Sequence, residues 1–455
     1  MEWRKKLKIP HPLFYRILFL VSAILVGVPT AFCASPAYYI DGIVVNASDL
    51  NSGTRARPWK SLASLKNRKF NPGDTLYFAK GSDYTGGVTI DFSGTASAPI
   101  VLTGYGSGNA PRFSNPDHHN QNGNVFQING DHILIKGLYF HDGAESGDAR
   151  VESVLKIGDI YVNPGADHVT VEDCEFTNSP VGIHTNGEAT LITRCNFHDC
   201  NRALAFPGWG PIAVVISNAN SEISYNRCTN YILGGGEYGA DGGFLEVDPR
   251  CYGQPVTGVK IHHNTSWGNE GFLEIEGSEP RISGATISYN FSNDYQEFIF
   301  FWSGRDCIVE NNTVLRVLPK NSVTDVVFSF RYGGNIIRNN IFIVNGGKQV
   351  FSNNGTETWG FGANYSAQIH VNNLYYSIDG SESDPIGLPV GSGEKVQDPK
   401  FVDYPDDCRL RLDSPAINAA IGLEYTKDLN NDPVPSGGSP DIGAFEYQWA
   451  DTDRP

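Results

Sequence analysis

Three short runs carry the residues best suited to chemistry: GFLEVD at 243–248, GFLEIE at 271–276 and EFIFFW at 297–302. Read as strands, their side chains alternate between two faces. Leu245, Val247, Leu273, Ile275, Ile299 and Phe301 form the consistently apolar set and are expected inside. Phe244, Glu246 and Asp248, then Phe272, Glu274 and Glu276, then Phe298, Phe300 and Trp302 are expected outside. Parallel, in-register stacking would bring equivalent residues to about 4.8 Å. Glu246 would then lie over Glu274, and Asp248 over Glu276. Like charges on adjacent strands cost stability, and their repulsion raises the pKa of at least one member. A carboxyl that keeps its proton beside one that stays ionised is what acid–base cleavage of a glycosidic bond requires. Glu246, Asp248, Glu274 and Glu276 are therefore the candidate catalytic groups, with Phe300 and Trp302 as an aromatic shelf for sugar rings. The same carboxylates could instead solubilise a strand face, or offer oxygens to Ca²⁺, since clustered carboxylates suit a hard cation.

Further candidates surround this grid. The loop GGGEYGADGG (234–243) holds Glu237, Tyr238 and Asp241 among glycines and leads into the first acidic run. His184, in VGIHT (181–185), is expected to face outward a few strands earlier, as a solvated surface histidine. Arg331 and Tyr332 follow the grid, and Arg250 and Arg305 flank it. His263 matches Tyr225 and Tyr289 in register and is expected to stack with them.

These positions need a scaffold that repeats a strand register. From about residue 125 a short β-run ending in a small or amide residue returns nine times, as in HVTVEDCEF (168–176), GVKIHHNTS (258–266) and RDCIVENNTV (305–314). Aligned on that position stand Gly137, Cys174, Cys195, Asn226, Asn264, Asn290, Asn312, Asn340 and Asn373, at spacings of 21 to 38 residues. A recurrence of this kind, with alternating inward and outward residues, marks a β-solenoid. The fold class is all-β, a right-handed parallel β-helix with capped ends, its asparagines forming a ladder between rungs. A short helical segment around Trp59 to Leu65 is expected at one end, because an uncovered first rung would be an open sheet edge. The expected divisions are a signal peptide at 1–33, an N-terminal cap and first rungs at 34–124, the coil at 125–376 and a closing segment at 377–455.

Composition narrows the partners. The 455-residue chain has 50 glycines and 18% charged residues, which disfavours a helical protein. A formal net charge of −16 argues against nucleic acid or an anionic membrane. Arg4, Lys5, Lys6, Lys8 and Arg16 precede the uncharged run 17–28 and then Ala31, Cys33 and Ala34, the order of a secretory signal peptide. Export, and no membrane contact after cleavage, are expected. Of eight cysteines, Cys174 and Cys195 read as stacked core residues, whereas a disulfide among Cys200, Cys228 and Cys251 stays open. No zinc or redox motif, nucleotide site or flavin site is present, and a capped solenoid is expected to be monomeric.

The runs GTRARPWKSL (53–62), NPGDTLYFAKG (71–81) and FSGTASAPIVLTGYGSG (92–108) resemble the N-terminal coil of secreted bacterial β-helix polysaccharide lyases and glycosidases, the chondroitinase-B and alginate-lyase group included. DSPAINAA (413–420) and SPDIGAFEY (439–447) resemble the closing segment of such proteins. The resemblance implies secretion and action on polysaccharide. FSFRYGGNIIRNN (328–340) is similar to the lyase pattern with Arg-His-Gly on one rung, here Arg331-Tyr332-Gly333. Where that group has a catalytic lysine on the preceding rung, this chain has Trp302, so the lysine-based mechanism does not transfer; Arg331 would contact substrate and Tyr332 would donate a proton. The favoured expectation is a glycoside hydrolase acting on extracellular polysaccharide. The alternatives are a uronate-specific lyase, with Ca²⁺ assisting, and a glycan-binding surface protein without catalysis.

Overall fold

The structure, a computed structural model, describes residues 36–115, 123–143, 157–202, 210–234, 241–249, 255–276, 282–319, 327–351, 365–422 and 425–449. The proposed signal peptide, Glu237, Tyr238, Arg250 and Cys251 lie outside them. Among the described residues three long parallel sheets run the length of the chain, with twelve, nine and twelve strands. Each rung crosses them in turn, as in Val181–Thr185, Leu191–Thr193 and Asn196–Cys200. Strands pair only with the preceding and following rung, so the chain coils, and parallel crossovers of this kind are right-handed. The nine-stranded sheet carries the acidic runs and is called the site sheet below.

The interior is a column of stacked side chains. Phe140, Phe176 and Phe197 lie ring over ring at 4.9 and 4.7 Å. Cys174 and Cys195 are buried, as expected for core residues, and Cys200 and Cys228 are free thiols. The turn between the other two sheets holds the asparagine ladder. Asn226, Asn264, Asn290, Asn312, Asn340 and Asn373 each offer Oδ1 to the backbone N–H of the ladder residue one rung earlier. Each also donates Nδ2 to a carbonyl of the preceding rung. The ladder ends on buried Glu394, whose Oε1 accepts from Asn373 at 2.9 Å and from the Tyr375 hydroxyl at 2.7 Å. One register expectation needs correcting. The residue before each ladder position adopts positive φ, as at Asp173 (53°), Tyr225 (58°) and His263 (55°). Gly137, at 65°, takes that bent position, and Leu138 fills the ladder site beside Cys174. A left-handed residue is cheapest as glycine, which is why Gly137 imitated a small ladder residue in the sequence.

At the N-terminal end the expected helix is a single 3₁₀ turn, Leu62–Leu65. Trp59 is buried, stacked on Tyr38 at 5.4 Å, with the Arg68 guanidinium 4.2 Å from its ring. A Cβ at Gly53 would lie 2.5 Å from Trp59, so only glycine admits the indole.

The chain after the last rungs folds back over the coil. Phe401, Leu410, Ala416 and Ile442 pack on Phe291, Leu315, Ile341 and Leu374. Tyr425 lies against His262 and His263, and His263 Nε2 bonds the Lys427 carbonyl at 2.9 Å. Asp428, Asp441 and Glu446 are buried there, with backbone N–H groups donating to both oxygens of each. Burial pushes Asp428 upward, Asp441 up to about 6 and Glu446 up to about 7; the charge of Asp432 adds to the first, that of Asp428 to the second, and those of Asp441 and Asp428 to the third. A carboxyl whose folded pKa exceeds its unfolded value contributes stability at low pH and loses it as pH rises through the folded pKa. Burial draws His263 down to about 4, which has the opposite consequence below the ordinary histidine range. Three carboxyls outweigh one histidine between pH 5 and 8. The closing segment is expected to resist limited proteolysis better at pH 5 than at pH 8; equal cleavage rates at the two pH values would contradict this.

Candidate functional site

The acidic runs form adjacent strands of the site sheet, Gly243–Val247, Gly271–Ile275 and Ile299–Phe301. Glu246 pairs in register with Glu274, and Glu274 with Phe300. The next outward positions continue the same register. Asp248 N–H bonds the Ile216 carbonyl, Glu276 N–H bonds Val247, and Arg331 N–H bonds Phe301. Asp248, Glu276, Trp302 and Arg331 therefore follow one another along a second column, with Tyr332 beside Arg331. Glu246, Glu274, Glu276, Phe300, Trp302, Arg331 and Tyr332 are all partly exposed. Trp302 and Phe300 lie 5.5 Å apart, and the Arg331 guanidinium is 5.7 Å from the Tyr332 ring.

The electrostatics distinguish one acid. The Glu274 carboxyl is held well above the usual carboxylate range, first by burial and then by the charges of Glu276, Glu246 and Asp241. It is also hydrogen-bonded to the Glu276 side chain. The arrangement offers a carboxyl held above the usual carboxylate range with carboxyl groups on either side, the pattern of an acid suited to proton donation.

Several expectations are corrected. Phe244, Phe272 and Phe298 do not face outward; each is fully buried in the core, Phe244 edge-on to Phe272 at 5.8 Å and Phe272 stacked on Phe298 at 4.7 Å. Strict alternation fails at the strand start, where Phe244 and Leu245 both turn inward and bare Gly243 and Gly271 take the outward place. Asp248 is outward in register yet only 1% exposed, so it stands behind the open face and not on it. His184 is likewise covered rather than solvated. Its Nε2 bonds Ser217 Oγ at 3.1 Å, its ring meets Tyr161 edge-on, and burial draws its pKa down to about 4. Asp241 has its oxygens occupied, accepting from the backbone N–H of Gly210 at 2.9 Å and Gly242 at 2.8 Å. Tyr225, His263 and Tyr289 stack at 4.8 and 5.2 Å on another face, as expected.

Glu297 was missed. It neighbours Gly271, accepts from Ser329 Oγ at 3.0 Å and lies within the field of the fully buried Arg316 guanidinium. Its place at the head of EFIFFW, opposite the glycines of the other two runs, was the available signal. Among the described residues no three His, Cys, Asp or Glu side chains are arranged to hold a metal ion.

Residues 148–314 match the model of the right-handed beta helix region. No curated protein matches the chain in sequence. Among solved structures, a rhamnogalacturonan lyase aligns over 92% of this chain and 97% of its own, at 15% identity and a TM-score of 0.57. Pectate lyase Pel9A aligns over 91% and 97%, at 16% identity and a TM-score of 0.52. XylC in complex with xylose aligns over 90% and 99%, at 11% identity and a TM-score of 0.53. Identities this low speak to architecture. The coil, the matched segment and the shared architecture of these structures together show that the chain folds as a right-handed parallel β-helix.

Proposed function

We propose that the protein is an exported carbohydrate-active enzyme that hydrolyses glycosidic bonds of extracellular polysaccharide on the open face of the site sheet. The observation that carries this reading is Glu274: stacked over Glu246, hydrogen-bonded to Glu276 and held well above the usual carboxylate range by its surroundings. Glu274 gives its proton to the glycosidic oxygen as the C–O bond breaks. Glu246, its vertical neighbour at about 4.8 Å in backbone spacing, is the carboxylate that meets the sugar carbon or its attacking water. Phe300 and Trp302 hold a ring by stacking, and Arg331 and Tyr332 bond its substituents. Polysaccharide action is also what the names of two of the similar structures describe, and the charged, apolar and small-residue order at 4–34 supports export.

A second reading is favoured by Arg331 and Tyr332 following Trp302 in one column, and by two relatives being lyases. An Arg-assisted elimination on a uronate glycan, with Ca²⁺ offsetting the acidic face, would use the same surface. The purified protein incubated with polygalacturonate, rhamnogalacturonan and xylan decides between them. Hydrolysis is expected to yield reducing ends without ultraviolet absorbance. An unsaturated, absorbing product that disappears on adding a chelator would establish the lyase instead.

A further inference from the structure

We infer that the N-terminal cap is a docking surface for an anionic phospholipid membrane, so that the protein is held at a lipid surface by the end of the coil where the chain enters it.

Residues 36–80 hold seven basic residues against three acidic ones, a local positive surplus in a chain of net charge −16. Arg55, Arg57, Lys60, Lys66, Arg68 and Lys69 are all exposed. Among the described residues no ion pair joins any of them to a carboxylate. The acids of the cap are committed elsewhere. Asp41 accepts from the N–H groups of Ile43 and Val44 and from the Tyr105 hydroxyl. Asp49 accepts from the N–H groups of Lys60 and Ser61, and Asp74 is buried. Unpaired cations gathered against the sign of the whole chain favour an anionic partner. The net negative charge of the rest does not cancel them at close range, because physiological salt screens charges over about 8 Å.

The same surface carries aliphatic side chains that nothing covers. Val45 is fully exposed, Leu50 is 95% exposed and Ile43 62%. Hydrogen bonds place these tips among the cations. On one side of Leu50, the Asp49 carbonyl accepts from Arg68 Nη2 at 3.4 Å and the Asp49 carboxylate from the Lys60 N–H at 2.8 Å. On the other side, Asn51 Oδ1 accepts from Arg57 Nη2 at 3.4 Å. Asn46, next to Val45, donates to the carbonyl of Ala56, between Arg55 and Arg57, at 3.0 Å. Buried Trp59 fixes the base, its Nε1 donating to the Asn51 carbonyl at 2.8 Å. Exposed aliphatic tips ringed by cations suit the lipid interface, where the cations meet phosphates and the tips enter the acyl boundary. An acidic glycan would use the cations but not the tips, since sugar rings rest on aromatic faces. The fold begins at this end, with strand Ala37–Ile40, so the segment that contains the apolar run 17–28 joins the coil beside the patch.

The test reads the patch itself. Six cysteines are buried, so in the full chain with Cys33→Ser and Cys251→Ser, a Leu50→Cys variant takes a nitrobenzoxadiazole label at one place. Vesicles of about 3:1 phosphatidylcholine and phosphatidylglycerol are expected to brighten the label and shift its emission to the blue. Vesicles of phosphatidylcholine alone are expected to do so only weakly. A cation near an anionic surface raises partitioning roughly five-fold. Lys66→Glu with Lys69→Glu is therefore expected to raise the lipid concentration for half response by roughly 25-fold or more. An unchanged emission with the mixed vesicles overturns the inference, as does an equal response to both lipids or an indifference to the two glutamates. A label that answers polygalacturonate and not vesicles overturns it too, and makes the patch a glycan site. None of these outcomes bears on Glu274, whose variants are read by turnover.

Discussion

Glu274→Gln is expected to lower turnover by about 10²- to 10⁴-fold, the usual range for removing a positioned general acid, while leaving the fold intact. The amide keeps the shape of the side chain and can still donate to Glu276, but it has no proton to give to a leaving oxygen. Stability should hold or rise, because a carboxyl that is buried and faces the charges of Glu276, Glu246 and Asp241 is costly to place there. A fall in turnover accompanied by unchanged glycan affinity and an unchanged or higher Tm is the expected result. A parallel fall in Tm would mean that the side chain matters for folding, and full activity would remove it from the reaction. Glu246→Gln separates the two acids further. Deleting that charge lowers the Glu274 pKa, so any remaining activity should lose its alkaline limb at lower pH than in the parent. The sign follows from repulsion: fewer neighbouring negative charges make the proton easier to lose. Kinetics across pH 5 to 9 would read this shift directly.

How well these residues could be found from sequence varies with the physics that places them. Glu246, Glu274, Phe300, Trp302 and Arg331 obey the two-residue period of a strand, and pairing confirms their columns. The ladder was legible for the same reason, since each asparagine recurs at one register with the same β-run before it. What alternation cannot see is where a strand begins. Gly243 and Gly271 mark a corner at which two successive residues turn inward, and the phenylalanines after them were consequently assigned to the wrong face. Nor can a period reveal what lies over an outward residue. His184 and Asp248 are outward in register and buried in fact, because covering is a property of distant chain rather than of local pattern. Asp241 illustrates a third limit. Its acidity suggested ligand binding, whereas backbone N–H groups occupy both its oxygens, a use of aspartate in tight loops that charge alone does not announce.

Asn312→Ala is expected to destabilise the coil by about 3–5 kcal/mol, counting the buried polar groups it strands at roughly 1–3 kcal/mol each. Asn312 is fully buried at the centre of the ladder. Its Oδ1 accepts the Asn290 backbone N–H at 2.9 Å and Asn290 Nδ2 at 3.0 Å. Its Nδ2 donates to the carbonyls of Ile287 and Glu310 and to Asn340 Oδ1. Alanine removes the acceptor from both Asn290 donors and the donor from the Ile287 carbonyl, and the dry interior offers no replacement. Asn312→Asp should be no milder, because it restores the acceptor while turning a negative oxygen toward the Ile287 carbonyl and Asn340 Oδ1. Because each rung touches only its neighbours, the damage should spread locally. Hydrogen exchange is expected to quicken at the rungs of residues 285–292 and 335–343 before it does near Cys174. Uniform loss of protection along the whole coil would mean that the solenoid unfolds as one unit, and a Tm within a degree of the parent would mean that the ladder is ornamental to stability.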